Sequence, residues 1–92
     1  MEIISNLSLL YPDDETAFVR TCILAKTTAI PAGLENVCIV PIEANTEIWW
    51  VVSSDTPREE ISDMRRRISI DCTFVSIGDD LFAELFRKYK AE

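Results

Sequence analysis

The chain has no histidine, two glycines and three cysteines among its 92 residues. Without histidine, the usual general base of Ser-His and Cys-His dyads is missing, and most zinc ligand sets are excluded. With Gly33 and Gly78 alone, no loop can cradle phosphates through repeated glycines, and no Gly-x-x-x-x-Gly-Lys-Ser/Thr run occurs. The chain is therefore not a P-loop ATPase on its own. Cations are also scarce: nine Lys and Arg stand against sixteen Asp and Glu, for a net charge of −7. An acidic surface repels the phosphate backbone, so no nucleic-acid partner is expected. No stretch reaches the ~18 apolar residues that cross a bilayer, and Met1-Glu2 is not followed by a basic region and a long apolar core. Direct membrane insertion and export are not expected, and a cytoplasmic location is the expectation. Cys22, Cys38 and Cys72 are odd in number, widely spaced and set among apolar residues, which reads as reduced core cysteine.

What remains is an ordinary globular composition, 48% apolar and 27% charged. A chain of this size buries about 60–65% of its unfolded surface, enough for one small core and too little for a deep substrate cavity. A single domain over residues 1–92 is expected.

Residues 3–11 carry Ile3, Ile4, Leu7, Leu9 and Leu10 in no clean period and read as an N-terminal arm or short strand. Pro12, Asp13 and Asp14 open a helix expected over residues 14–26, with Phe18, Cys22 and Ala25 on one face. Ile30-Pro31-Ala32-Gly33 breaks the pattern as a linker or one helical turn. Residues 37–42 and 47–53 form two β-rich runs about Ala44-Asn45-Thr46, which reads as a hairpin whose first strand is an edge, or ends, near Pro41. Thr56-Pro57-Arg58-Glu59 reads as a capping box, with Pro57 at the first position of a helix that turns Ile61, Met64 and Ile68 to the core. Residues 70–77 form a third strand, and Asp79-Asp80 opens a last helix with Leu81, Phe82, Leu85, Phe86 and Tyr89 as its apolar side. The order α-β-β-α-β-α predicts an α+β domain: a small three-stranded mixed sheet with helices packed mainly on one face.

The carboxylate clusters, Asp13-Asp14-Glu15, Glu59-Glu60 with Asp63, and Asp79-Asp80, each stand at a helix start, where capping and the helix dipole account for them. Arg65-Arg66-Arg67 is the one basic run; on a helix its side chains spread over about 200° and do not converge on one phosphate, so it reads as a solvated or partner-facing patch. Trp49 and Trp50 are adjacent on a strand, so one ring enters the core and the other lies on the outer face, where it needs a covering element or a partner. Trp49, Trp50, Arg65, Arg66 and Arg67 are thus the candidate contact residues. No catalytic residue, cofactor or metal ligand is assigned.

Over residues 30–92 the chain resembles the N-terminal domain of type II secretion and type IV pilus assembly ATPases. The resemblance lies in Ile30-Pro31, in Val40-Pro41-Ile42, and in a second strand running into Ser53-Ser54-Asp55-Thr56-Pro57. It continues through the helix over 58–68, the strand Thr73–Ile77 and the closing Asp80-Leu81-Phe82-Ala83-Glu84-Leu85-Phe86-Arg87-Lys88-Tyr89. It implies a ββαβα unit at 30–92, with 1–29 as an N-terminal arm and helix. It also implies a non-catalytic docking role: recruiting or regulating the assembly ATPase at the cytoplasmic face of the inner membrane. The partner would be the cytoplasmic domain of a platform protein or an ATPase core. One branch of that family binds cyclic di-GMP through an Arg-Leu-Gly-x-x-Leu type motif; residues 13–28 contain no glycine and no such run, so that ligand is not expected. The alternative is a small acidic inhibitor or immunity protein that blocks a basic site on its target.

Overall fold

The computed structural model describes residues 9–26, 39–68 and 72–91. In chain order the elements are β1 (Leu9–Leu10), α1 (Glu15–Thr21), β2 (Ile23–Leu24), β3 (Val40–Ala44), β4 (Glu47–Ser53), α2 (Arg58–Ile68), β5 (Thr73–Ile77) and α3 (Asp79–Lys90). The expected arm over 3–8, the Ile30 to Gly33 break, the first residues of two expected strands, and Cys38 lie outside the described residues.

The chain is α+β with three helices and a mixed sheet of five strands in the order β1-β5-β4-β3-β2, in place of the expected three. β1, β5 and β4 run parallel, whereas β4, β3 and β2 alternate in direction. The two additional strands are two-residue edges. β1 falls within the stretch read as an arm or short strand. β2 falls inside the stretch expected to be helical, because α1 ends at Thr21. Asp14 caps α1 by accepting from the Ala17 amide at 3.1 Å, as its sequence position suggests. At the other end the Thr21 hydroxyl turns back on the Ala17 carbonyl, and Cys22 is already extended at φ −69, ψ 149. Ile23 and Leu24 then pair with Glu43 and Ile42. For a short segment with β-branched Ile23, these ladder bonds outweigh one further turn of helix.

The sheet is the middle layer of three. Trp50, Val52, Phe74 and Ile39 pack under Ile61 and Met64 of α2. On the opposite face Val40, Ile42, Val51, Val75 and Ile77 pack under Val19 of α1 and Phe82 and Leu85 of α3. Two of the three helices therefore share a face, and the third covers the other. The buried runs Trp50-Val51-Val52 and Phe74 through Ile77 are continuous because both faces are covered.

The hairpin closes with a two-residue turn, Asn45 at φ 51 and Thr46 at φ 65, the positive angles of a type I′ connection. Pro41 pairs opposite Trp50, and its carbonyl accepts from the Ala25 amide at 3.0 Å. A strand residue's nitrogen and carbonyl point to the same side, so the missing N–H falls on the side where β2 ends and leaves the β4 ladder intact. Helix α2 starts one residue later than expected. The Pro57 carbonyl accepts from Glu60 and Ile61, and the Thr56–Glu59 exchange is not among the hydrogen bonds of the described residues. The Thr56 amide instead donates to the Ser53 carbonyl at 3.0 Å, which tightens the turn out of β4.

Candidate functional site

The two tryptophans divide between faces as the pleat requires. Trp50 is 4% exposed beneath α2, so it is core. Trp49 is half-buried on the other face, beside Phe18 and Val75, and its indole N–H donates to Glu47 Oε1 at 3.3 Å. The outer ring thus has a covering element, α1, and forms a wall of an apolar cleft of about 320 Å³ that it shares with Leu10, Tyr11 and Phe18. The arginine run lies across the sheet from Trp49. Arg65 stacks over the Phe74 ring at 5.1 Å and donates to the Cys72 carbonyl at 2.5 Å, a packing role. Arg66 and Arg67 both pair with Asp63, at 3.4 and 3.1 Å. The five sequence candidates therefore do not form one site.

The structure instead gathers charge at two poles. Glu15 Oε1 accepts from the Gly78 amide at 3.1 Å, which brings the start of α1 to the start of α3. The Ser53 hydroxyl donates to Asp79, and the Asp55 amide donates to Ser53 Oγ at 3.2 Å, so the loop into α2 joins the same corner. Here the first-turn carboxylates Glu15, Glu59, Glu60, Asp79 and Asp80 accompany Asp55 and the cap Asp14. A hydrogen bond to Asp79 and its charge hold the Asp55 carboxyl above the usual carboxylate range. The same bond, with Ser53, holds Asp79 below it.

At the opposite pole α1 ends with Arg20, α2 with Arg65, Arg66 and Arg67, and α3 with Arg87, Lys88 and Lys90. Lys26 joins them by donating to the Tyr89 carbonyl at 2.7 Å, its ammonium 5.2 Å from the Tyr89 ring centroid. Of the nine Lys and Arg only Arg58, in the first turn of α2, stands apart. The parallel β4–α2–β5 connection produces this polarity: each helix runs back against its strands, with acids at its start and bases at its end.

Between α1 and α3 at the basic pole lies an open cleft of about 470 Å³, lined by Val19, Cys22, Leu24, Lys26, Leu85 and Lys88. Burial pushes the Cys22 thiol up, with Lys88 acting against it, and its Sγ contacts the Val19 carbonyl at 3.4 Å, so it serves as packing. Sequence reasoning missed this cleft because helix 14–26 was expected to continue through Lys26. The available signal was that all three lysines fall near the ends of the two helices sharing one face.

Among the described residues, no group of three or more Cys, Asp or Glu is arranged to hold a metal ion, and no helix is long and apolar enough to cross a membrane. No family model matches the chain, and neither a curated protein nor a solved structure matches it.

Proposed function

We propose that this chain is a non-catalytic docking domain of a type II secretion or type IV pilus-like system, which recruits or regulates the assembly ATPase from the cytoplasmic side of the inner membrane. Its partner is a protein: the cytoplasmic domain of a platform component or an ATPase core. The observation that carries this reading is the succession β3-β4-α2-β5-α3 over residues 40–90, a hairpin, crossover helix, parallel strand and closing helix in the order the resemblance implies. The separated charge poles add support, since complementary potentials steer and orient protein encounters. Trp49 and the exposed Arg66 and Arg67, on opposite faces of the sheet, are the contact residues carried forward from the sequence; Trp50 is core beneath α2.

Titration calorimetry of the chain against each of these two partners tests the reading. Binding is expected to weaken in R66E/R67E while Tm holds; absence of binding to either partner overturns it. The acidic pole around Asp55, Asp79 and Asp80 favours the second reading, an inhibitor of a basic site. Gene neighbourhood separates the two: a toxin or nuclease beside this gene favours the inhibitor, and pilus or secretion components favour docking.

A further inference from the structure

Resting on the docking reading, we infer that the α1–α3 cleft is where the domain receives its partner, and that the occupant is an acidic segment carrying an apolar side chain. Val19 and Leu85 form a buried apolar floor, and Leu24 extends it half-buried. Lys26 and Lys88 stand at the rim, and no carboxylate lines the cleft. In a chain with sixteen acids and nine bases, an apolar groove with two cations and no anion is a charge-selective surface.

The helix dipole alone accounts for Lys88, Lys90 and Arg87 in the last turn of α3. It does not account for Lys26, which belongs to no helix and reaches Tyr89 from 63 residues away. That contact fixes the ammonium at the rim and uses one of its three donors, leaving two for a carboxylate. Lys26, Lys88 and Lys90 have no ion pair among the described residues, in contrast to Arg66 and Arg67, which both pair with Asp63. A cleft open to solvent between two helices suits side chains presented by a peptide, with the apolar anchor on the floor and acidic neighbours at the rim.

The test is fluorescence anisotropy with a fluorescein-labelled 12-residue peptide made only of Asp, Glu and Leu. Affinity is expected to fall about tenfold in K26E/K88E and for the same peptide with Ser in place of Leu, and to hold in R58E, a charge reversal in the first turn of α2 away from the basic pole. K26E gives up the Tyr89 contact and puts an acid by the negative end of α3, so binding of the double variant is read well below its own Tm; K88A, at an exposed position without that contact, should keep the wild-type Tm and show an intermediate loss of affinity. Equal affinity of wild type and K26E/K88E, or an equal loss in R58E, overturns the inference. Tyr11 is 67% exposed beside Asp13 and Asp14, so a second copy is the competing occupant. Concentration-dependent sedimentation of the wild type that disappears in K26E/K88E would overturn the assignment to a partner. Platform or ATPase binding that ignores K26E/K88E would sink the cleft while leaving docking intact. Lysine-dependent peptide binding without platform or ATPase binding would keep the cleft and remove the secretion reading.

Discussion

The Glu15 carboxylate accepts a hydrogen bond from the Gly78 amide at 3.1 Å, across 63 residues of sequence. The bond joins the first turn of α1 to the β5–α3 corner and fixes how the N-terminal helix sits on the sheet. Glu15→Ala should lower stability by about 1–2 kcal/mol, because it removes a charged acceptor and leaves a half-buried amide unpaired. Glu15→Gln retains an acceptor oxygen and should lose about half as much. Urea denaturation measures both, and equal midpoints for wild type and E15A would show that the tie contributes nothing. A Cβ at residue 78 would lie 3.2 Å from the same oxygen, a flexible carboxylate end, so G78A should cost less than E15A.

The hairpin turn contains a mismatch between residue and backbone. Thr46 is held at φ 65, a region where a β-branched side chain crowds its own backbone, next to Asn45, which tolerates φ 51 well. Thr46→Gly creates the Asn-Gly pair favoured in type I′ turns and should stabilise the chain by about 1 kcal/mol, the left-handed cost less part of glycine's entropy. The expected result is a higher Tm with no change in the β3–β4 register by NMR; a lower Tm would indicate that the threonine makes a compensating contact.

These two positions also indicate what the sequence revealed and what it concealed. The hairpin, the crossover helix, the parallel return strand and the last helix were legible because their apolar periods are strong and their turns carry Asn, Pro and Gly. The α1 boundary was not. A helical pattern in Phe18, Cys22 and Ala25 continues past Thr21, and only the pairing of Ile23 and Leu24 with β3 shows where the chain extends. Burial of both sheet faces was written in the unbroken runs at residues 50–52 and 74–77, but a short apolar run fits a one-faced strand as readily until a second covering helix is placed. The candidate contacts were the least legible. Adjacent tryptophans guarantee opposite faces but not exposure, and an arginine triplet does not disclose that two members share Asp63 and Phe74 stacks with the third.

The three arginines of α2 should accordingly separate on mutation. Arg65 spans from its helix to the Phe74 ring and the Cys72 carbonyl, so R65A should destabilise by about 1–3 kcal/mol through the lost stacking and hydrogen bonding. Arg66 and Arg67 share one half-exposed carboxylate, and either alanine variant should stay within about 0.5 kcal/mol of wild type. Chemical denaturation of the three single variants provides the comparison. Similar losses at all three positions would mean that the helix end depends on its charge and not on the Arg65 contact.

Asp55 and Asp79 predict a pH dependence whose sign follows from their opposite shifts. Asp79 is held low by hydrogen bonds from Asp55 and Ser53, so its contribution is present above its unfolded pKa and lost as pH falls through its folded value. Asp55 is held high by its bond to Asp79 and by that residue's charge, so its contribution is present below its unfolded pKa and lost as pH rises through its folded value. The hydrogen bond between the two carboxyls therefore strengthens the corner only in the acid range, between the two folded values; toward neutrality two carboxylates face each other. Asp55→Asn supplies a donor at every pH and removes one of the charges. Its Tm should match the wild type in the acid range and exceed it by a few degrees at most at neutral pH, because the pair is exposed and screened by salt. Thermal melts of both proteins across that range decide the matter: a Tm difference that stays constant with pH would show that the two carboxyls share no hydrogen bond at this corner.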